Sequence, residues 1–276
     1  MKKNSNVIFL SGILVAAIFA GIGSYSFANY SREKEETNIE EDFVQESTNE
    51  QSAQTALATT QNSVEVNKID KSEASAPVIP VDFDKLQKTN PDIFAWINVP
   101  GTKIDYPIAQ HPTDDGYYLK HGANGMSSSH GCPYIELCDT GSFKEFNTVV
   151  YGHNMKDGSM FAGLHSFEDK DFFNKHREVK VYTKEHAFTY KIFGAVMYSD
   201  AHIPYYYNDN IESDRTAFIK SLTTDSVADR SYIDKDVKVT KDNYILTLST
   251  CDAKLRNNRY IVLAVLTEID GQSAGK

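Results

Sequence analysis

Tyr244-Ile245-Leu246-Thr247-Leu248-Ser249-Thr250-Cys251 ends in a cysteine, and Arg259-Tyr260-Ile261-Val262-Leu263-Ala264-Val265-Leu266 begins with an arginine. Both runs are rich in β-branched, aromatic and aliphatic residues, and the polar segment 252–258 joins them. This predicts an antiparallel pair of strands. The end of the first then lies beside the start of the second, so a thiol and a guanidinium meet in space. A thiolate nucleophile needs a nearby cation, and the oxyanion of acyl transfer needs a fixed donor. Upstream, Asn147-Thr148-Val149-Val150-Tyr151 reads as another strand, and Gly152-His153-Asn154 is the turn at its exit. His153 therefore also stands at a strand end, where a base can serve an open site.

These three motifs in this order resemble the sortases, the cysteine transpeptidases of Gram-positive surfaces, with class B the nearest pattern. The class B flavour lies in Ile104-Asp105-Tyr106-Pro107-Ile108, in Lys156-Asp157-Gly158-Ser159-Met160-Phe161, and in a helix-like insert before the last strands. The resemblance covers roughly residues 82–268. It implies a closed β-barrel of seven to eight strands with N-terminal and peripheral helices, a mainly β (α+β) domain. It implies that Cys251 is the nucleophile, His153 the general acid and base, and Arg259 the oxyanion donor. It also implies that Leu119, Tyr205 and Ser249 wall the groove for a sorting peptide, the match at Tyr205 being blurred by the run Pro204-Tyr205-Tyr206-Tyr207. Thr250 and Ser249 are small and polar and leave the thiol uncrowded. Asp252 has two readings, one that orients the histidine or touches substrate and one in which it merely starts a loop. Arg256 lies inside the polar loop, where solvation is the default.

Length and charge set the frame. The chain has 276 residues and a net charge of −10, which argues against a nucleic-acid partner. Lys2 and Lys3 precede an apolar run at 7–27, long enough to cross a bilayer with the N-terminus inside. Residues 1–28 read as a cytoplasmic stub and single-pass signal anchor, with the rest of the chain outside the cell membrane. Ser26-Phe27-Ala28 also offers a cleavage site, the alternative of a removed signal peptide. Residues 29–80 are rich in Glu, Gln, Asn, Ser and Thr and nearly free of aromatics, a composition of a disordered stalk. Residues 81–276 are then the catalytic domain. Partners expected from the resemblance are surface proteins bearing a sorting motif and an amine of peptidoglycan or its lipid-linked precursor. No cofactor or metal is expected.

Within the domain, 82–88 reads as a short helix capped by Asp82. Pro91 suits the first position of a second helix over 92–97, carrying Trp96 as a core anchor. Strands are expected at 104–108, 131–135, 148–151, 179–183, 187–197, 244–250 and 260–266. Helical patches are expected at 159–164, 168–174 and 214–222, the last capped by Ser213 with Ala217, Phe218 and Leu222 as its apolar stripe. The segment 203–222 can overhang the groove, or its helix can simply cover the barrel while the tyrosines pack beneath. His165, His176, His186 and His202 sit in polar stretches and read as solvated.

Two further thiols invite other chemistry. Ser129-His130-Gly131-Cys132 spells the core of the L,D-transpeptidase motif, but Pro133 and Tyr134 follow where an apolar residue and an asparagine are needed. His130, Cys132 and Cys138 lack a fourth ligand for zinc. A Cys132–Cys138 disulfide is open to an exported chain. The reading from a different class is a stalked, non-catalytic surface module that binds a partner.

Overall fold

The computed structural model describes residues 77–275 apart from 225, 226, 253 and 256. The apolar run 7–27 and nearly all of the 29–80 stalk lie outside the described residues. Among the described residues no helix is long and apolar enough to cross a membrane.

Nine strands make one curled sheet among the described residues. They are β1 (Ile93–Asn98), β2 (Asp105–Ala109), β3 (Asn147–Tyr151), β4 (Glu178–Thr183), β5 (Ala187–Ser199), β6 (Val227–Ile233), β7 (Ile245–Cys251), β8 (Asn258–Ile269) and β9 (Gln272–Ser273). Seven of them follow the path β2-β1-β4-β5-β8-β7-β3, with β6 added to β5 and β9 to β8. The two ends of that path meet through a single residue. Tyr134 bridges Ala109 at the end of β2 and Tyr151 at the end of β3. Its backbone exchanges two hydrogen bonds with Tyr151, while Pro133 and Ile135 bond Ala109 on the other side. The expected strand at 131–135 is thus a one-residue suture that closes the barrel, too short to be a strand of its own.

The apolar run of β8 is continuous because both of its faces are covered. Tyr260, Val262, Ala264 and Leu266 point into the barrel, beside Leu246 and Leu248 of β7. Ile261, Leu263 and Val265 point outward and pack under helix Glu212–Thr224 through Phe218 and Leu222. The helix therefore begins before Ser213, which lies inside its first turn and does not cap it. Ala217 is exposed, leaving Phe218 and Leu222 as the apolar stripe.

The N-terminal helix is Phe83–Thr89, and the Asp82 carboxylate accepts from the Lys85 N–H at its start. The expected second helix over 92–97 is instead strand β1. Local propensity favoured a helix after Pro91, but β1 pairs with both β2 and β4. Ala95 and Ile97 face the barrel interior, while Ile93 and Trp96 pack on Phe83 and Leu86 of the helix, with Ile79 and Val81 beside them. A residue covered on both sides gains more from pairing than from propensity. The patches expected at 159–164 and 168–174 form a 3₁₀ segment, Phe161–Glu168, and a short helix, Lys170–Lys175, capped by Asp169.

Candidate active site

Register alone brings the three residues together. Strands β7 and β8 are antiparallel, and Cys251 is directly opposite Arg259. Strands β3 and β7 are parallel, with Tyr151 opposite Ser249. Two residues further along each chain stand His153 and Cys251. Arg259, Cys251 and His153 therefore occupy one level across three neighbouring strands, with the cysteine in the middle.

Side-chain alternation then decides the face. Ser249 and Cys251 share a face of β7, and their partners Ile261 and Arg259 share the same face of β8. This is the outer face, the one that helix Glu212–Thr224 covers further along. Ser249 and Ile261 floor an open cleft of about 330 Å³ there. Cys251, Arg259 and His153 line it, together with Leu119, Tyr134, Asp200, His202 and Ile203. Cys251 is exposed and Arg259 half-buried. Among the described residues no carboxylate forms an ion pair with Arg259; its Nη1 reaches only the Asn258 carbonyl, at 3.5 Å, which leaves donors for a substrate oxygen.

The histidine is oriented from behind. Its Nε2 lies 2.8 Å from the Leu119 carbonyl. A carbonyl only accepts, so Nε2 carries a proton and Nδ1 is the nitrogen left for proton transfer. Gly131 makes room for the ring. It has φ +68, and a Cβ there would lie 2.4 Å from the Tyr118 carbonyl oxygen and 3.1 Å from His153 Cδ2. Gly152 has a similar reason, since a Cβ would meet the Phe161 ring at 2.6 Å. Thr250 faces inward and its hydroxyl donates to the Gly152 carbonyl at 2.8 Å, which ties the exits of β3 and β7 together.

The other sequence candidates divide. Leu119 and Ser249 line the cleft, and Thr250 borders it with its hydroxyl turned away to the Gly152 carbonyl. Tyr205 does not; it is 80% exposed, as Tyr206 is at 62%, and only Tyr207 of that run packs beneath the helix against Phe218. Asp252 is turned away from His153. Its carboxylate accepts from the N–H groups of Lys254 and Leu255 and from Arg230, so it does not orient the imidazole. Burial opposes its charge, but those donors hold its carboxyl below the usual range. Arg256 lies outside the described residues. Cys132 is buried, its thiol 3.6 Å from the Pro107 carbonyl, so it offers no open nucleophile for the L,D-transpeptidase reading. Among the described residues no disulfide forms, so the Cys132–Cys138 bridge open to the sequence is not made.

Several contributors were invisible in the sequence. His202, read as solvated, pairs with Glu136 at 2.7 Å and stacks on Tyr151. Tyr134 and Tyr151 stack at 5.4 Å, and burial, then the Glu136 charge, hold both phenols above their ordinary pKa. His165, also read as solvated, bonds Cys251 and Glu168. His176 stacks on Phe172 and His186 binds Asp270. Each of these partners is distant along the chain or hidden in a polar stretch. Only Asn154, adjacent to His153, carried a signal that sequence could have used.

A thiol registered opposite a strand-fixed guanidinium and level with a carbonyl-oriented histidine, in an open cleft, can support cysteine-based acyl transfer. A family model described as a sortase domain matches residues 97–267. Sortase B of Listeria monocytogenes is 36% identical over 61% of this chain and 66% of its own length, so the chain spans just under two thirds of that relative. The X-ray structure of Clostridium perfringens sortase B superposes with a TM-score of 0.60 at 28% identity, covering 68% of this chain and all of that one. A Staphylococcus aureus sortase B–substrate complex gives 0.57 at 29% identity, over 67% of this chain and 83% of that one. The chain belongs to the sortase family, and its similar relatives are class B sortases.

Proposed function

We propose that this chain is a membrane-anchored transpeptidase that cleaves a C-terminal sorting motif after threonine and joins the protein to a cell-wall amine. The Cys251 thiol passes its proton to His153 Nδ1 as its sulfur attacks the threonyl carbonyl, and Arg259 holds the oxygen as it gains charge. The C–N bond breaks, and His153 gives its proton to the departing amine. A thioacyl enzyme remains. The incoming amine attacks that thioester, the C–S bond breaks, and His153 takes the amine's proton and returns it to the leaving sulfur. The acceptor is an amine of peptidoglycan or of its lipid-linked precursor. The run 7–27 would hold the enzyme in the cell membrane, with 29–80 as its reach and the domain outside. The cycle uses no metal or cofactor.

The registered pairing of Cys251 with Arg259, at the level where His153 leaves β3, carries this reading. Cys251→Ala should abolish cleavage of sorting-motif peptides while leaving the thermal melt unchanged. Retained cleavage would overturn the assignment, and the chain would then stand as a binding module. Turnover should also survive chelation. A loss restored by calcium would show that a metal takes part.

A further inference from the structure

Cys251 is gripped at its backbone as well as presented at its side chain. The parallel ladder between β3 and β7 runs to its end with the bond from the Gly152 N–H to the Ser249 carbonyl. The next rung would join residue 154 to the Cys251 carbonyl through backbone alone. Instead the Asn154 side chain donates to that oxygen at 3.0 Å, and His165 Nε2 lies 3.1 Å from it. With Nε2 donating to that carbonyl, the 2.9 Å between Asn154 Nδ2 and His165 Nε2 is a contact of two donors that share one acceptor, not a bond between them.

His165 is itself fixed. Its Nδ1 pairs with Glu168 at 2.6 Å, and its ring stacks on Tyr260, 5.1 Å away. Arg230 bonds the same Glu168 oxygen at 2.8 Å and reaches Asp252 at 3.1 Å. Asp252 in turn accepts from the N–H groups of Lys254 and Leu255. A chain of bonds thus runs from the carbonyl of Cys251 back to the loop that follows it. Arg230 holds this place with φ 60, beside the register shift in the β5–β6 pairing. Left-handed backbone in a bulky residue costs energy and persists where the surroundings demand it. His165, Glu168 and Asp252 have their ligand atoms within 4.8 Å of one another, as a metal would need, but the guanidinium of Arg230 supplies the cation there. His165, Glu168 and Arg230 do not line the cleft.

We propose that His165 is a positioning residue for the nucleophile. With Asn154 it sets the peptide plane of Cys251, and Glu168, Arg230 and Asp252 fix the loop on the far side. Together they hold the thiol at the level of Arg259 and His153. This rests on the reading of Cys251 as nucleophile. A displacement of the reacting atom by about an ångström costs on the order of a hundredfold in rate.

The test uses the full chain and three variants, His165→Ala, His165→Gln and Glu168→Gln. Peptide-cleavage kcat and KM, the melt, and the iodoacetamide alkylation rate at Cys251 (followed on its own peptide by mass spectrometry) are measured. His165→Ala should lower kcat about ten- to a hundredfold with KM within twofold, and His165→Gln, which keeps a donor near Nε2, should recover most of it. An unchanged kcat, or a rise in KM alone, would overturn the proposal. If His165→Ala does not fold, Glu168→Gln decides, a lowered kcat supporting the proposal and a wild-type kcat refuting it. If the wild type cleaves no sorting peptide, the functional reading has failed separately. The alkylation rate then decides: a several-fold change in His165→Ala supports positioning, and no change refutes it.

Discussion

Arg259 shows what a single residue gains from its place in a ladder. Its Cα is paired with Cys251, so its side chain emerges on the same face and at the same level as the thiol. A planar guanidinium fixed there can hold an oxygen as charge builds on it, which is worth on the order of 3 kcal/mol in the barrier. Arg259→Lys should therefore lower kcat for peptide cleavage by about a hundredfold with little change in the melt. Arg256→Ala should leave turnover near wild type, and the reverse ranking would move the oxyanion donor into the loop. Gly131 makes an equally local argument by exclusion. Gly131→Ala would force a Cβ against the Tyr118 carbonyl oxygen in left-handed backbone. It should cost about 1–3 kcal/mol of stability in denaturant melts and shift His153, lowering kcat as well.

Among the elements, helix Glu212–Thr224 and the turn before it divide two jobs. Phe218 and Leu222 seal the outer face of β7 and β8 against water. Phe218 is fully buried, so Phe218→Ala should cost about 3–5 kcal/mol in chemical denaturation. The other job belongs to the entry to the helix. His202 and Ile203, at the start of the short helix Ile203–Tyr206, reach the cleft, while Tyr205 and Tyr206 stand in solvent. Loops set on a rigid barrel commonly carry specificity. Exchanging residues 203–222 for the segment of another sortase should change which sorting motif is cleaved, measured across a peptide panel, while a preformed Cys251 thioester is still resolved by amine. An unchanged preference would place recognition elsewhere in the cleft.

For the whole molecule, one buried carboxyl sets a pH dependence. Asp139 is 7% exposed, and one of its oxygens has no hydrogen-bond partner. Burial, with Glu145 nearby, pushes its pKa from 3.8 up to about 8. Below about pH 4 the folded and unfolded chains both carry the proton. Between about 4 and 8 the unfolded chain gives it up while the folded one keeps it, so stability falls as pH rises, by on the order of a few kcal/mol. Asp157, held near 2 by Ser159 and His130 against the effect of burial, acts oppositely and only at lower pH. The melting temperature of Asp139→Asn should exceed the wild type's by more at pH 8 than at pH 5. A pH-independent difference would show that Asp139 is satisfied in its ionised form.

The sequence by itself determined the strand pair that ends in Cys251 and begins at Arg259, the histidine at a strand exit, and a helix with Phe218 and Leu222 as its apolar stripe. These were legible because side-chain alternation, apolar runs and turn residues act over a few positions. What tertiary structure alone decided was set by partners far along the chain. Residues 92–97 are a strand because β2 and β4 flank them, whatever Pro91 favours locally. Tyr134 is a suture because two strand ends converge on it. Asp252 faces Arg230 rather than His153, and His165 grips Cys251 from 86 positions away, because the 3₁₀ segment Phe161–Glu168 docks behind β7. Hydrogen bonds of that span leave no periodic trace in a sequence, since the only condition on each residue is the group it meets once the chain has closed.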